Sequence, residues 1–204
     1  MSVRFVDPKT KRVVYPEPFQ EHLNAVTPGL ETNTPSVGAL VVNPLLAPAN
    51  PLLASIKWDI RLPFDTYVEQ WPQAERAKLA QSATLPPAVL LELQSPHLPW
   101  KIEVRPRTPV LHITVFDVLA TIHAALEARI APGEWDQFDT VGKRVIVAAR
   151  GLRVQEYDPA RQADEMYNHP RRIDSLGEFT RFAGLVPAPQ RGLNSLDLKL
   201  KRRR

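Results

Sequence analysis

Arg171, Arg172 and Asp174, taken together with Trp58 and Asp59, are the residues of this chain whose types could recognise a small charged ligand. A guanidinium clamps a carboxylate through two parallel hydrogen bonds or stacks on an indole face. If the segment carrying Trp58-Asp59 pairs with the one carrying Arg171 to Asp174, the set converges on a site for an anionic or peptide ligand. An internal Arg to Asp bridge tying two strands together needs only the same residues, and it is the simpler reading.

Other chemistry finds less support. The five histidines, His22, His97, His112, His123 and His169, include no pair at the i, i+4 spacing that lets two imidazoles share a metal on a helix. The absence of cysteine removes thiolate catalysis, disulfides and sulfur-built metal sites. There is no Gly-x-Ser-x-Gly elbow, and no Gly-x-Gly pair that could cradle phosphate at a helix start. The acids Glu134, Asp136 and Asp139, and the pair Asp164 and Glu165, fall where a helix start and a polar loop are expected, so hydration or dipole stabilisation accounts for them. No catalytic residue, metal or cofactor is therefore expected. Trp100 with His97 and Pro99 could frame a patch for an extended peptide, although such a tryptophan more often caps its own core. Lys199, Lys201, Arg202, Arg203 and Arg204 match a nuclear-import run or an anion contact, and equally a solvated tail.

Those five tail cations exceed the whole chain's formal net charge of +4, so the other residues sum to −1. A body of that charge lacks the footprint of a nucleic-acid-binding domain; weak contact through the tail alone stays open. No apolar run reaches the roughly 18 residues of a membrane span, and the first residues do not read as a signal peptide. The expected compartment is cytoplasmic or nuclear, with a protein partner or a second copy as the expected contact.

The elements that would position these residues follow from proline and periodicity. Eight of the 21 prolines lie in the first 51 residues. Each removes a backbone donor and biases its predecessor towards extended geometry, so residues 1–54 read as a proline-rich arm, partly disordered or extended. Its valines and leucines suit it to lie along a groove of its own or another subunit's domain. Residues 55–200 form the domain, and 201–204 the basic tail. Ile56, Trp58 and Ile60 alternate with polar residues as in a half-buried strand, and Gln73 to Gln81 allow a helical turn or two. Val89 to Leu93 and Lys101 to Val104 predict two strands across a proline-rich turn. Thr114 and Asp117 form a capping box ahead of Val115, Val118, Leu119, Ile122 and Leu126, which predicts a helix over 115–130 with Asp117 off its apolar face.

A second helix is predicted from Glu134 or Asp139 to Arg150, its apolar stripe being Trp135, Phe138, Val141, Val145, Ala149 and Leu152; Val145 to Ala148 also fit a buried strand. Residues 154–170 read as a polar loop, and Arg171 to Leu176, Thr180 to Leu185 and Leu196 to Leu200 as strands. The order gives an α+β fold: one domain, an antiparallel or mixed sheet, two main helices on one face.

Trp58-Asp59-Ile60-Arg61, Leu85-Pro86-Pro87, Leu98-Pro99-Trp100, Ile113 to Leu119, Arg171 to Leu176 and Phe182-Ala183-Gly184-Leu185 together resemble an uncharacterised domain family of basidiomycete fungi, over about residues 55 to 200. Members of that family often close on a tryptophan-containing strand, where this chain has Leu196 to Leu200. The resemblance implies the domain boundary and no activity. The expected role is a non-catalytic protein-interaction or scaffold domain. The alternative is a small-ligand-binding protein or an enzyme of unrecognised type, using Trp58, Asp59, Arg171 and Asp174. A nuclear adaptor acting through the basic tail is a third reading.

Overall fold

A computed structural model describes residues 5–6, 13–14, 40–48, 56–107 and 111–203. The rest of the proline-rich arm, the start of the expected first strand before Ile56, and Arg204 of the tail lie outside the described residues. In the arm, β1 (Phe5–Val6) pairs antiparallel with β2 (Val13–Val14).

The main unit is an α+β domain around a mixed four-stranded sheet. The alternating run Leu91 to Gln94 makes β5 (Leu91–Gln94), with Leu91 and Leu93 buried, and it pairs antiparallel with β6 (Ile102–Val104) across the proline turn. β8 (Ser195–Lys201) runs parallel to β5 and antiparallel to β7 (Arg181–Pro187), giving the order β6-β5-β8-β7. The closing strand is therefore interior, which explains why Leu196 and Leu198 are buried. A smaller antiparallel pair joins β3 (Val41–Val42) to β4 (Thr84–Leu85).

Helix α3 (Val115–Glu127) carries the expected capping box: Thr114 Oγ1 accepts the Asp117 N–H at 3.1 Å, and Asp117 Oδ2 accepts the Thr114 N–H at 2.9 Å. Its apolar stripe is buried as expected. Asp117 is buried with it, however, because capping turns its carboxylate inward to take donors from Thr114 and Arg107.

The segment Ile56 to Arg61 keeps the expected alternation of buried and exposed residues but forms only an isolated bridge, Asp59 with Arg181. Two short helices follow it, α1 (Phe64–Glu69), which the sequence did not announce, and α2 (Gln73–Ala77) with a 3-10 turn at Lys78–Ala80. Trp58 lies edge-on to Phe64 at 5.1 Å and is fully buried. Its Nε1–H donates to the Leu62 carbonyl at 2.9 Å, so the indole satisfies itself within the core.

Leu40 to Pro48, part of the arm by composition, is built into this core. Leu46 is fully buried, its carbonyl accepts the Leu185 N–H at 2.7 Å, and the Asn43 N–H donates to Ala83 O at 2.8 Å. Gly184, at φ +117°, lets the segment through: a Cβ there would stand 2.5 Å from the Pro48 nitrogen.

After α4 (Pro132–Trp135), α5 (Thr140–Gln155) starts at Asp139, whose Oδ1 accepts the Gly142 N–H at 2.6 Å. Two expectations fail beyond it. Residues 154–170 are not a loop throughout: α6 (Pro159–Tyr167) starts from an Asp158 cap with proline at its first position. Arg171 to Leu176 is not a strand but a 3-10 turn over Arg172–Leu176, because the Asp174 carboxylate accepts the Arg171 N–H at 2.9 Å and curls the chain locally.

Candidate functional site

The strand pairing on which the expected convergence of Trp58 and Asp59 with Arg171 and Asp174 depended does not form: Asp59 bridges to Arg181 of β7, and Arg171 to Arg129. Asp59 binds Arg61 through two hydrogen bonds of 3.0 and 2.9 Å. Burial works against its ionisation, but the Arg61 donors outweigh it and hold the carboxyl below its ordinary range. Arg171 and Arg172 point apart, Arg171 towards Glu127 and Glu165, Arg172 towards Glu134 and over the Trp100 ring at 4.9 Å.

Asp174 joins a buried ion network that the sequence did not reveal. Arg153, buried on α5, donates from Nε to Asp174 Oδ1 at 2.8 Å and from Nη2 to Oδ2 at 2.9 Å. Its Nη1 also reaches Glu165 and the Tyr157 hydroxyl, each at 3.2 Å. Glu165, read from sequence as hydrated, is buried on α6 between Arg153 and Arg171. Burial works to raise its pKa, but these two guanidiniums outweigh that and hold it below its ordinary range. The network ties α5, α6 and the 3-10 turn together, and each carboxylate in it is already taken. Among the described residues no cluster of three His, Cys, Asp or Glu side chains could hold a metal ion.

What the network does to α5 matters more. Anchoring Arg153, with Ile146 and Val154, turns one face of the helix inward, and three residues of the expected apolar stripe face out: Val141 and Leu152 are each 66% exposed and Val145 is 44% exposed. Two concavities flank that stripe. One, of about 720 Å³, lies between Val145, Ala149 and Leu152 and the opposing Ile173, Asp174 and Thr180, with Arg61 and Arg203 at its end. The other, of about 430 Å³, lies between Phe138, Val141 and Val145 and the opposing His97, Pro99 and Phe179. Val145 borders both, facing Gly177, where φ is +55° and a Cβ would come 3.1 Å from the valine. The result is a groove along the helix, apolar in most of its lining.

Trp100 supports the groove without lining it: partly buried, it meets Phe138 edge-on at 6.0 Å, and Phe138 is the wall. His97 stacks on Phe179 at 4.1 Å, and burial holds its imidazole below the ordinary value. The tail residues are less free than expected. Arg202 lies over the Phe179 ring at 5.3 Å and pairs with Glu178 at 2.9 Å, and Arg203 reaches Glu156 at 3.7 Å. Lys199 pairs with Asp197 at 3.1 Å, while Lys201 ends β8 beside a separate hollow under Ala47 and Lys57.

The groove could have been suspected from the α5 sequence, which carries apolar residues in two registers: Ile146 with Val154, and Val141, Val145 and Leu152. A helix between protein and water needs one such register.

The fold and site together define an α+β domain with a pre-formed apolar groove beside a closed ion network. The chain belongs to a family of unknown function, DUF6699, whose model matches residues 56–193. No curated protein and no solved structure is significantly similar to it. Among the described residues no helix is long and apolar enough to cross a membrane.

Proposed function

We propose that this protein is an interaction module that seats a partner's apolar segment in the groove along α5. The supporting observation is the exposed stripe of Val141, Val145 and Leu152, facing a concave and mostly apolar wall. Leaving large apolar side chains in water forgoes roughly 25 cal/mol for each Å² that a partner would cover, and contiguous exposed apolar surface of this kind marks contact sites. An enzyme or a ligand receptor at the residues first considered has less support, because Trp58 is inside the core and Asp174 is already engaged by Arg153 and by the Arg171 N–H.

The test is affinity capture from source-cell extract with the wild-type chain and with Leu152→Asp, followed by a hydrogen-exchange footprint of the complex. Leu152 is exposed, so the variant should fold with its melting temperature within a few degrees of wild type. The expected result is a bound protein lost with Leu152→Asp whose presence protects α5. A bound protein that leaves α5 unprotected and is indifferent to Leu152→Asp would overturn the assignment.

A further inference from the structure

The hollow under Ala47 and Lys57, about 260 Å³ in volume, has a one-sided charge that the α5 groove lacks. Lys57, Arg181 and Lys201 line it, together with buried Ile56 and Phe182 and two alanines. The lining thus carries three positive charges and no acid. All three cations are exposed, and among the described residues none has a side-chain hydrogen bond or ion pair.

Strand register brings them together. Arg181 of β7 stands directly opposite Lys201 of β8, and Asp59 bridges to Arg181 from the other side. The Phe182 N–H donates to the Trp58 carbonyl at 2.9 Å, so the chain from Ile56 runs along β7 in that same register. Lys57, two residues before Asp59, therefore lies diagonally across from Arg181 on the same face. Opposite residues of an antiparallel pair stand about 4.5–5.5 Å apart at Cβ and diagonal ones about 7–8 Å, so three side chains of this length reach a common point. Asp59 shares the face, but Arg61 takes its carboxylate at 3.0 and 2.9 Å and it does not line the hollow.

The other cations nearby have acids of their own. Arg61 has Asp59, Lys199 has Asp197, Arg202 has Glu178 and Arg203 has Glu156. The three left over are the three that face one hollow. Arg181 opposite Lys201 is also a like-charge cross-strand pair, which costs stability in the free chain. An anion lodged between them removes that cost, and the apolar part of the lining receives the carbon attached to it.

We propose that this hollow binds a phosphate monoester, at a site separate from the α5 groove and independent of the interaction reading. A phosphoryl group carries close to two charges near neutral pH and offers three acceptor oxygens, one for each cation. A carboxylate or sulfonate brings a single charge. The volume suits the phosphoryl group with a small substituent and falls short of the roughly 300–1,000 Å³ of sites for drug-sized ligands. A free metabolite and a phosphorylated side chain share this chemistry.

The probe is phenyl phosphate, titrated into the isotope-labelled full chain at about pH 7.5 and a constant ionic strength of about 100 mM, with amide chemical shifts as the readout. Benzenesulfonate is the singly charged comparator, and inorganic phosphate the ligand without carbon. Phenyl phosphate should move the amides of Lys57, Phe182 and Lys201 and bind about tenfold or more tightly than benzenesulfonate. Lys201→Glu should cost at least about tenfold in affinity while the urea midpoint of the ligand-free chain holds or rises, since a like-charge pair becomes an opposite one. Lys199→Gln, on the same strand but outside the lining, should change affinity by no more than about twofold. Equal binding of phenyl phosphate and benzenesulfonate, or an equal loss in Lys199→Gln and Lys201→Glu, would overturn the site in favour of a diffuse surface field. Shifts centred elsewhere, or none at about 10 mM ligand, would overturn it too, and these wild-type readouts decide the matter even if Lys201→Glu fails to fold. Inorganic phosphate binding as tightly as phenyl phosphate would overturn the ester. A short uncharged peptide carrying one phosphoserine separates the sources: binding tighter than phenyl phosphate supports a phosphorylated protein, and weaker binding supports a free small ester.

Discussion

Replacing Arg153 by methionine separates a structural lock from a ligand site. Methionine keeps most of the buried stem and removes the guanidinium, with its two hydrogen bonds to Asp174 at 2.8 and 2.9 Å and one to Glu165 at 3.2 Å. Glu165 retains Arg171, but Asp174, only 3% exposed, keeps just the Arg171 N–H at 2.9 Å. Leaving one member of a buried pair uncompensated costs about 3–5 kcal/mol. That is about a fifth or more of the roughly 5–15 kcal/mol a domain has in total. Asp174→Asn in the same background removes the stranded charge yet still accepts the Arg171 N–H, so it should return about 1–2 kcal/mol. Equilibrium urea unfolding followed by tryptophan fluorescence measures all three variants, with an unchanged urea dependence confirming that the unfolded state is the same. Arg153→Met costing less than about 1 kcal/mol, or strict additivity with Asp174→Asn, would refute the lock. Asp174, on the cavity wall, would then be a carboxylate available to a ligand.

Gly184→Ala should detach Leu40 to Pro48, because the added methyl meets Pro48 backbone at 2.5 and 2.6 Å where φ is already +117°; a cost of about 2–5 kcal/mol is expected. Hydrogen exchange at the Leu185 and Asn43 amides reads it, and unchanged protection at both would show that the close approach is not limiting. Acid should weaken the fold in a definite order. Asp59, Glu134 and Glu165 have folded-state pKa values below their ordinary ones, so their stabilisation is complete above about pH 4.5 and is lost as pH falls through the lowered values. His97, held low by burial, adds a smaller loss that begins as pH falls below about 6.5. A urea midpoint that holds steady or rises between pH 5 and 3 would contradict this ordering.

The parts of the fold legible in the sequence are those decided by neighbours a few residues away. The hairpin of β5 and β6 needs alternation and a proline turn, α3 needs Thr114 and Asp117, and β8 needs its leucines. Where a distant partner decided the outcome, the reading failed. Arg171 to Leu176 has strand-like composition, but Asp174 curls back on the Arg171 N–H while Arg153, 21 residues earlier, fixes its carboxylate. Helix α6 did announce itself through Asp158 and Pro159, and the polar run after them obscured it, Glu165 being buried only because two arginines meet there.

Half of the apolar stripe expected along α5, Val141, Val145 and Leu152, faces outward, and the reason lies in what a period can encode. Spacing fixes which residues share a face; it does not fix which face the protein covers. Judged by hydrophobicity alone, Val141, Val145 and Leu152 belong inside and Arg153 outside. The inner surface offers Arg153 two carboxylates with good geometry, and a buried arginine so satisfied determines orientation because rotation strands both Arg153 and Asp174. The apolar stripe is then left facing water beside a concave wall, at a cost in solubility and none in fold. A helix that sets its arginine inward and its valines outward has its unmet burial on the surface, and that is where a partner has most to gain by binding.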